Sequence, residues 1–533
     1  MRDKIFVIIL ALVTFFAFNS ALPTDIMESR NIVAARDIVS TGNWLVPTMN
    51  GELRLEKPPL PTWVAGAIET VCPHSLGAQR VAAGVMGIVW TIFMYLFAKL
   101  LTRRREYALL TVMVFLTSYH IVVMGRTATW DIYCHAFMMG GIYFLARGLL
   151  GEKKEQWKWF PAAGLMMGLS FMSKGPVSFY ALLLPALIAM IACLQPSTKG
   201  KWPAFSVMII LCLFVGGWWY VYLYVFQPQA IDAVIHKETG AWSGHNVRPW
   251  YYYWRFFTET GVWTVMMAAA LVVSYWKKVL QDRRTYLFAI VWTLSALVLL
   301  SLMPEKKIRY LLPMMAPCAL CVACLIEQLE TKPDRLGTIM LSATGYIVAA
   351  LCLALPVATY ILHWVSLPLV IVVAVCSFAL AAFLIRATWR RQPRQIVYAI
   401  CCLFMILEVF LLKPIGRMFG NADMHSISLT QTMPQVKDLP FYHGKADDIA
   451  IEIVYGAGKD ILPLDVSDSA TVMRKLPFAL VSHGYAAQLL PANVLQQVDT
   501  VYIDTFDDNK HPKKGQHYHD SFITRVTVIK AKK

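Results

Sequence analysis

A chain of 533 residues that is 57% hydrophobic and only 15% charged, with a mean hydropathy of +0.53, lies outside the range of soluble domains. Its net charge of +16 does not call for nucleic acid, because the Lys and Arg residues gather in short loops between apolar runs, where they set membrane topology. The eleven Cys lie almost entirely inside apolar segments, which excludes a disulfide framework; Cys72 alone falls in a polar external loop, and Cys318, Cys321 and Cys324 form a packing stripe rather than a zinc set.

In chain order, the apolar run at 5–22, within KIFVIILALVTFFAFNSALP (4–23), has the basic start and small-residue end of a signal peptide but reads as a first span. A long loop, 24–80, follows. Within it, Ile26, Arg30, Val33 and Asp37 recur at helical spacing, which predicts a short amphipathic helix along the membrane surface. The charged stretch ELRLEKPPLPTW comes next, then a second apolar helix near PTWVAGAIETV. Apolar runs then recur at 81–101, 107–124, 132–150, 159–173, 177–194, 204–226, 256–275, 286–303, 311–328, 338–362, 367–387 and 396–413, making about thirteen spans in all. Loops RRREY, GEKKEQWK, KKVLQDRR and RATWRRQPR alternate with less basic ones and place the N-terminus and themselves in the cytoplasm. An odd number of spans puts the tail outside.

That tail, 414–533, is polar with alternating apolar positions. DIAIEIVYG, PFALVSHG, DTVYIDTF and FITRVTVIK read as strands, and ATVMRKL and AAQLLPANVLQQV as helices, giving a small α/β domain. It carries no nucleophile motif, phosphate loop or metal spacing. The expected division is therefore a membrane domain, 1–413, and a soluble external domain, 414–533.

The chemistry is expected in the external loops. Arg126 and Asp131 share RTATWD; Lys174 ends a span in MSKGPV; Glu305, Lys306, Lys307, Arg309 and Tyr310 share MPEKKIRYLLP; His236, Glu238, His245 and Arg248 precede the aromatic run PWYYYW, whose rings read as part interface belt and part pocket wall. Charges at lipid depth are costly and usually functional. Several cations beside a few carboxylates suit sugar transfer from a polyprenyl phosphate: the cations hold the phosphate as it gains charge, and a carboxylate takes the acceptor's proton. No nucleotide is needed. A lipid flippase would instead be expected to place ionisable groups near the midplane in repeated, interrupted helices; no repeat is evident, and Glu408 in the last span stands as the exception.

The ordered set ESR, GNWLVP, EKPP, TATWD, SKGP, RPWYYY and RYLLP resembles the bacterial lipid A aminoarabinose transferase family, GT-C glycosyltransferases related more distantly to protein O-mannosyltransferases. The resemblance covers about residues 1–413. It implies an all-α polytopic fold of about thirteen helices with interfacial helices in the first external loop and a C-terminal periplasmic domain, seated in the bacterial inner membrane. It also implies an undecaprenyl-phosphate sugar donor and a lipid or glycoconjugate acceptor, lipid A or a related glycolipid, with transfer to protein hydroxyls as the alternative. Carried over by position, Glu28 and Asp131 match the family's important acids. Met27 stands where the family has an Asp, so Asp25 is a possible substitute. Lys57, Arg126, Lys174, Lys307, Arg309 and Tyr310 are the expected donor-phosphate contacts, and Glu56, with His236 or His245, could hold a divalent metal.

Overall fold

The computed structural model describes residues 2–234, 236, 246–418, 421, 423–513, 515 and 517–532. The chain forms two compact units. One comprises Met1–Asn19, Glu56–Leu60 and Arg80–Leu412; the other comprises Ser20–Leu55, Pro61–Gln79 and Lys413–Lys533.

The first unit is helical. Its early helices are α1 (Arg2–Phe16), α4 (Leu76–Thr102), α5 (Arg105–Leu116), α6 (Tyr119–Met124), α7 (Trp130–Leu150) and α8 (Gln156–Lys174); α2 (Ile26–Thr41) and α3 (Leu60–Val71) intervene in the chain. Among the described residues, seven helices are long and apolar enough to cross a membrane: α4, Trp202–Phe226, Arg283–Leu302, Ile308–Thr331, Arg335–Ile361, Leu367–Trp389 and Pro393–Arg417. The pair Trp250–Ala270 and Val273–Val279, bent by 79°, makes an eighth if counted as one span. Helix starts follow ordinary capping rules: Asp282 and Asp334 accept from the backbone N–H of Thr285 and Gly337. Between α8 and Trp202–Phe226 the backbones touch, since a Cβ on Gly164 would lie 2.3 Å from the Met208 carbonyl oxygen and one on Gly168 would lie 2.6 Å from Val215 Cβ. Two small residues four apart on one helix face permit that approach.

Several expected spans differ in detail. The run at 107–124 is two helices, α5 and α6, broken at Thr117 and Ser118. The run at 256–275 sits inside a longer element that begins as a 3₁₀ stretch at Trp250 and kinks at Gly261, whose φ of 66° only glycine adopts easily.

The second unit contains a short antiparallel hairpin, β1 (Thr48–Met49) with β2 (Glu52–Leu53), and a five-stranded sheet, β3 (Phe441–Gly444), β4 (Ile461–Leu464), β5 (Phe478–Ser482), β6 (Val498–Asp507) and β7 (Ile523–Ala531), in the order β4-β3-β5-β7-β6. β3 pairs in parallel with β4 and β5, and β7 pairs antiparallel with β5 and β6. All of β5 is buried, with Ala479 and Val481 in one apolar core and Phe478 and Leu480 in the other. A strand covered on both faces needs such an unbroken apolar run. The predicted strand DIAIEIVYG is instead a helix, Ile451–Ala457. Its buried Ile453, Val454 and Ala457 lie on one helical face, and Gly458 at φ 77° closes it; short apolar runs carry both periods. AAQLLPANVLQQV forms two single turns, Ala486–Leu489 and Ala492–Leu495, separated at Pro491. Strands β3 and β4 were not anticipated.

α2 is also packed within the second unit. Nine of its residues are buried, and Val33 shares a core with Phe441, Ile453 and Val454. α2 is a packed element of the sheet unit.

Candidate functional site

α7 begins with Asp131 in its first turn, where the helix dipole favours an acid. α8 ends with Lys174, and Gly175 at φ 65° turns the chain away immediately after it. The two side chains meet: Lys174 Nζ donates to Asp131 Oδ1 at 2.5 Å, both almost wholly buried. Lys174 also lies 5.7 Å from the ring centre of Tyr310. The Tyr310 hydroxyl donates to Glu305 Oε2 at 3.3 Å, and Lys307 Nζ pairs with Glu305 Oε1 at 2.6 Å. Arg309 and His135 complete the electrostatic surroundings of Asp131. The result is one continuous chain of contacts, Asp131–Lys174–Tyr310–Glu305–Lys307, at one end of the bundle.

The segment carrying Glu305 and Lys307 is held by the aromatic run before it. Buried Tyr253 accepts from the Lys307 N–H at 3.0 Å and donates to the Lys307 carbonyl at 3.1 Å. Lys306 N–H reaches the Asn246 carbonyl at 3.1 Å, Arg248 N–H reaches Pro304, and Val247 bridges Glu305. The stretch 250–256 therefore divides by helical face: Trp250, Tyr251 and Trp254 are exposed, and Tyr253 and Phe256 are buried. Tyr253 as a clamp was not foreseen, although the spacing of the two sets is helical. Glu305 was recognised as a loop charge but not as the counter-ion of Lys307.

Arg126 stands apart from this chain. Fully buried, it donates to the carbonyls of Val122, Ala17 and Thr14, and its Nη2 lies 3.4 Å from Glu408 Oε1. These contacts hold Arg126 in place and set its charge beside the acid in the last span. Glu56 and Lys57 are half-buried and belong to the same unit as Asp131, while Pro58 and Pro59 beside them are buried. The short segment Glu56–Leu60 clusters with the helical bundle, whereas its flanking residues cluster with the sheet unit.

In the sheet unit, Glu28 is buried in the first turn of α2. Asp25 is that helix's N-cap, its Oδ1 accepting from Met27 N–H at 2.7 Å and Glu28 N–H at 2.8 Å, and capping explains an Asp there. His236 is exposed, and His245 lies outside the described residues. Among the described residues no three His, Cys, Asp or Glu side chains stand together as a metal set.

The profile of the family described as dolichyl-phosphate-mannose-protein mannosyltransferase matches residues 56–220. A Pectobacterium atrosepticum protein named undecaprenyl phosphate-alpha-4-amino-4-deoxy-L-arabinose arabinosyl transferase is 23% identical over 428 residues, covering 77% of this chain and 75% of its own length. A Proteus mirabilis protein of the same description is 25% identical over 333 residues, covering 60% of this chain and 59% of its own length. Among solved structures, ArnT from Cupriavidus metallidurans bound to undecaprenyl phosphate superposes with a TM-score of 0.72 at 16% identity, over 99% of this chain and 97% of that one. That likeness is one of fold. Taken with the ordered motifs, the relatives and the fold identify the chain as a multi-pass membrane glycosyltransferase resembling the bacterial aminoarabinose transferases.

Proposed function

We propose that the chain moves a sugar from an undecaprenyl-phosphate donor to a cell-envelope acceptor, lipid A or a related glycolipid, at the periplasmic face of the inner membrane. The observation that carries this reading is the contact chain from buried Asp131 and Lys174 through half-buried Tyr310 to Glu305 and Lys307. Lys174, held by Asp131, and Lys307, held by Glu305, can exchange those carboxylates for phosphate oxygens, which make comparably strong charge-assisted bonds.

In the transfer, the acceptor oxygen attacks the anomeric carbon while the bond from that carbon to the donor phosphate breaks. The electron pair leaves with the phosphate. Lys174, Lys307 and Arg309 stabilise the charge that develops there, with Lys57 as a further ligand. The acceptor proton passes to a carboxylate, for which Glu28 and Asp131 are the candidates. Asp131, already holding Lys174, suits a positioning role. Thirteen spans, with the C-terminal domain outside, complete the proposed topology.

The names of the sequence relatives support the undecaprenyl-phosphate sugar donor; the lipid-envelope acceptor rests on the motif resemblance, and the mannosyltransferase profile over 56–220 keeps protein hydroxyls as the second reading. The test supplies purified protein in lipid with a panel of undecaprenyl-phosphate sugars and either envelope lipids or periplasmic protein, and follows acceptor mass. A sugar-sized gain on a lipid acceptor, reduced at least ~100-fold in kcat in Glu28→Gln, is the expected result. A gain on protein only would transfer the assignment to the second reading. Lipid crossing the bilayer without donor consumption would replace both with a flippase.

A further inference from the structure

At the other end of the helical unit from Asp131 lies a concavity of about 750 Å³. α7 spans the distance between the two, with Asp131 at one end and Arg147 and Leu150 on the cavity wall at the other. Four cations line it, Lys99, Arg103, Arg147 and Arg284, against two acids, Glu155 and Asp282.

Those acids are already occupied. Asp282 accepts from Thr285 N–H at 3.1 Å and Thr285 Oγ1 at 2.9 Å, and pairs with Arg104 at 2.6 Å. Glu155 accepts from Trp159 Nε1 at 3.3 Å and stands 3.9 Å from Arg147. Among the described residues, Lys99, Arg103 and Arg284 have no acid within salt-bridge reach. Arg284 is nevertheless aimed, its Nε donating to the Cys193 carbonyl at 3.1 Å and its Nη2 to that of Leu194 at 2.7 Å.

Helix-end chemistry covers part of this set. Lys99 and Arg147 lie in the last turns of α4 and α7, where a cation complements the dipole. Arg284 lies in the first turn of Arg283–Leu302, where the dipole disfavours it. Arg103 sits just beyond α4 at φ 59°, a conformation usually left to glycine. A topology signal needs positive charge in the loop, but it needs neither a cavity nor a guanidinium fixed by two carbonyls. The remaining wall is largely apolar, with Leu96, Leu100, Leu150, Leu194 and Tyr143. Uncompensated cations beside an apolar wall, at a membrane boundary, match an anion that carries a hydrocarbon stem.

We infer that this cavity is a binding site for the phosphate headgroup of an anionic phospholipid from the leaflet at the basic end of the bundle, distinct from the donor site. The phosphodiester sits among Lys99, Arg103 and Arg284, and the glycerol and upper acyl chain lie along the leucines.

Native mass spectrometry of the full chain in detergent tests this, with titration of phosphatidylglycerol, phosphatidylcholine and inorganic phosphate. The proteins are wild type, K99Q/R103Q, the charge-preserving K99R/R103K, and R390Q/R391Q, which removes two exposed cations from another basic loop. Phosphatidylglycerol adducts should persist in wild type, K99R/R103K and R390Q/R391Q and weaken by roughly 10- to 30-fold in K99Q/R103Q. Equal weakening in R390Q/R391Q overturns the site in favour of diffuse surface charge, and equal retention of phosphatidylcholine overturns the anionic-headgroup assignment in favour of charge-independent lipid contact. Inorganic phosphate binding as tightly as the lipid overturns the lipid assignment in favour of a soluble anion. The behaviour of K99R/R103K separates lost charge from lost fold.

Discussion

Asp131 and Lys174 are the residues on which function and stability are most easily confused. A buried ion pair contributes little net stability over an apolar pair of the same shape, but removing one partner strands the other charge, at a cost of about 3–5 kcal/mol. Asp131→Asn and Lys174→Met should therefore each lower thermal stability, while the double variant recovers most of it. Sugar transfer should be lost in all three, by at least ~100-fold in kcat/KM. Activity returning with stability in the double variant would show the pair to be structural. The residues themselves were legible from sequence, because a lone Asp and a lone Lys at the ends of apolar runs are expensive to place. Their partnership was not, since 43 positions separate them and only the packing of α7 against α8 brings them together.

Among the elements, residues 36–50 and the C-terminal segment are joined by polar contacts that no local pattern announced. Asn50 clamps the start of β4, its Nδ2 donating to the Ile461 carbonyl at 2.9 Å and its Oδ1 accepting from Ile461 N–H at 2.7 Å. Arg36 donates to the Tyr455 carbonyl at 2.9 Å and lies 3.4 Å from Glu69 of α3. Buried Asp37 uses Oδ2 to accept from Thr48 Oγ1 at 2.9 Å and Gly51 N–H at 3.1 Å, while its Oδ1 receives no donor. Asp460 lies beside it, and burial together with the Asp37 charge pushes the Asp460 carboxyl up to about 7. A proton on Asp460 therefore belongs to the folded state. Because the folded pKa is raised above the unfolded value, its contribution to stability is present below about pH 4 and is lost as pH rises toward about 7. Thermal melts of the full chain across that window should show falling stability, and Asp460→Asn should flatten this component of the slope. An unchanged slope in the variant would assign the dependence elsewhere. The same region shows why element type was misread at DIAIEIVYG: its apolar residues fit a strand as well as a helix, and the core containing Val33 selected the helix.

For the molecule as a whole, orientation is the property to measure. Cys72 is exposed in the long loop 24–80, which the proposed topology places outside, and the other ten cysteines are buried or partly buried. A membrane-impermeant maleimide should label spheroplasts at Cys72, and Cys72→Ser should abolish that labelling. Labelling confined to inverted vesicles would reverse the proposed topology and place the Asp131 cluster in the cytoplasm.

Composition, hydropathy and basic loops determined by themselves that this is a multi-pass membrane protein with a small sheet-bearing C-terminal region, because those properties depend on the transfer of each segment between water and lipid and need no distant partner. The candidate charges followed from the same cost. Tertiary structure decided which charges meet. It joined Lys174 to Asp131 and Lys307 to Glu305, committed Arg126 to three carbonyls and Glu408, made Tyr253 a clamp, and gathered 20–55 and 61–79 with the C-terminal segment while leaving 56–60 with the bundle. Ion pairs and hydrogen bonds act over a few ångströms, and which side chains come that close is fixed by helix packing between segments far apart in sequence.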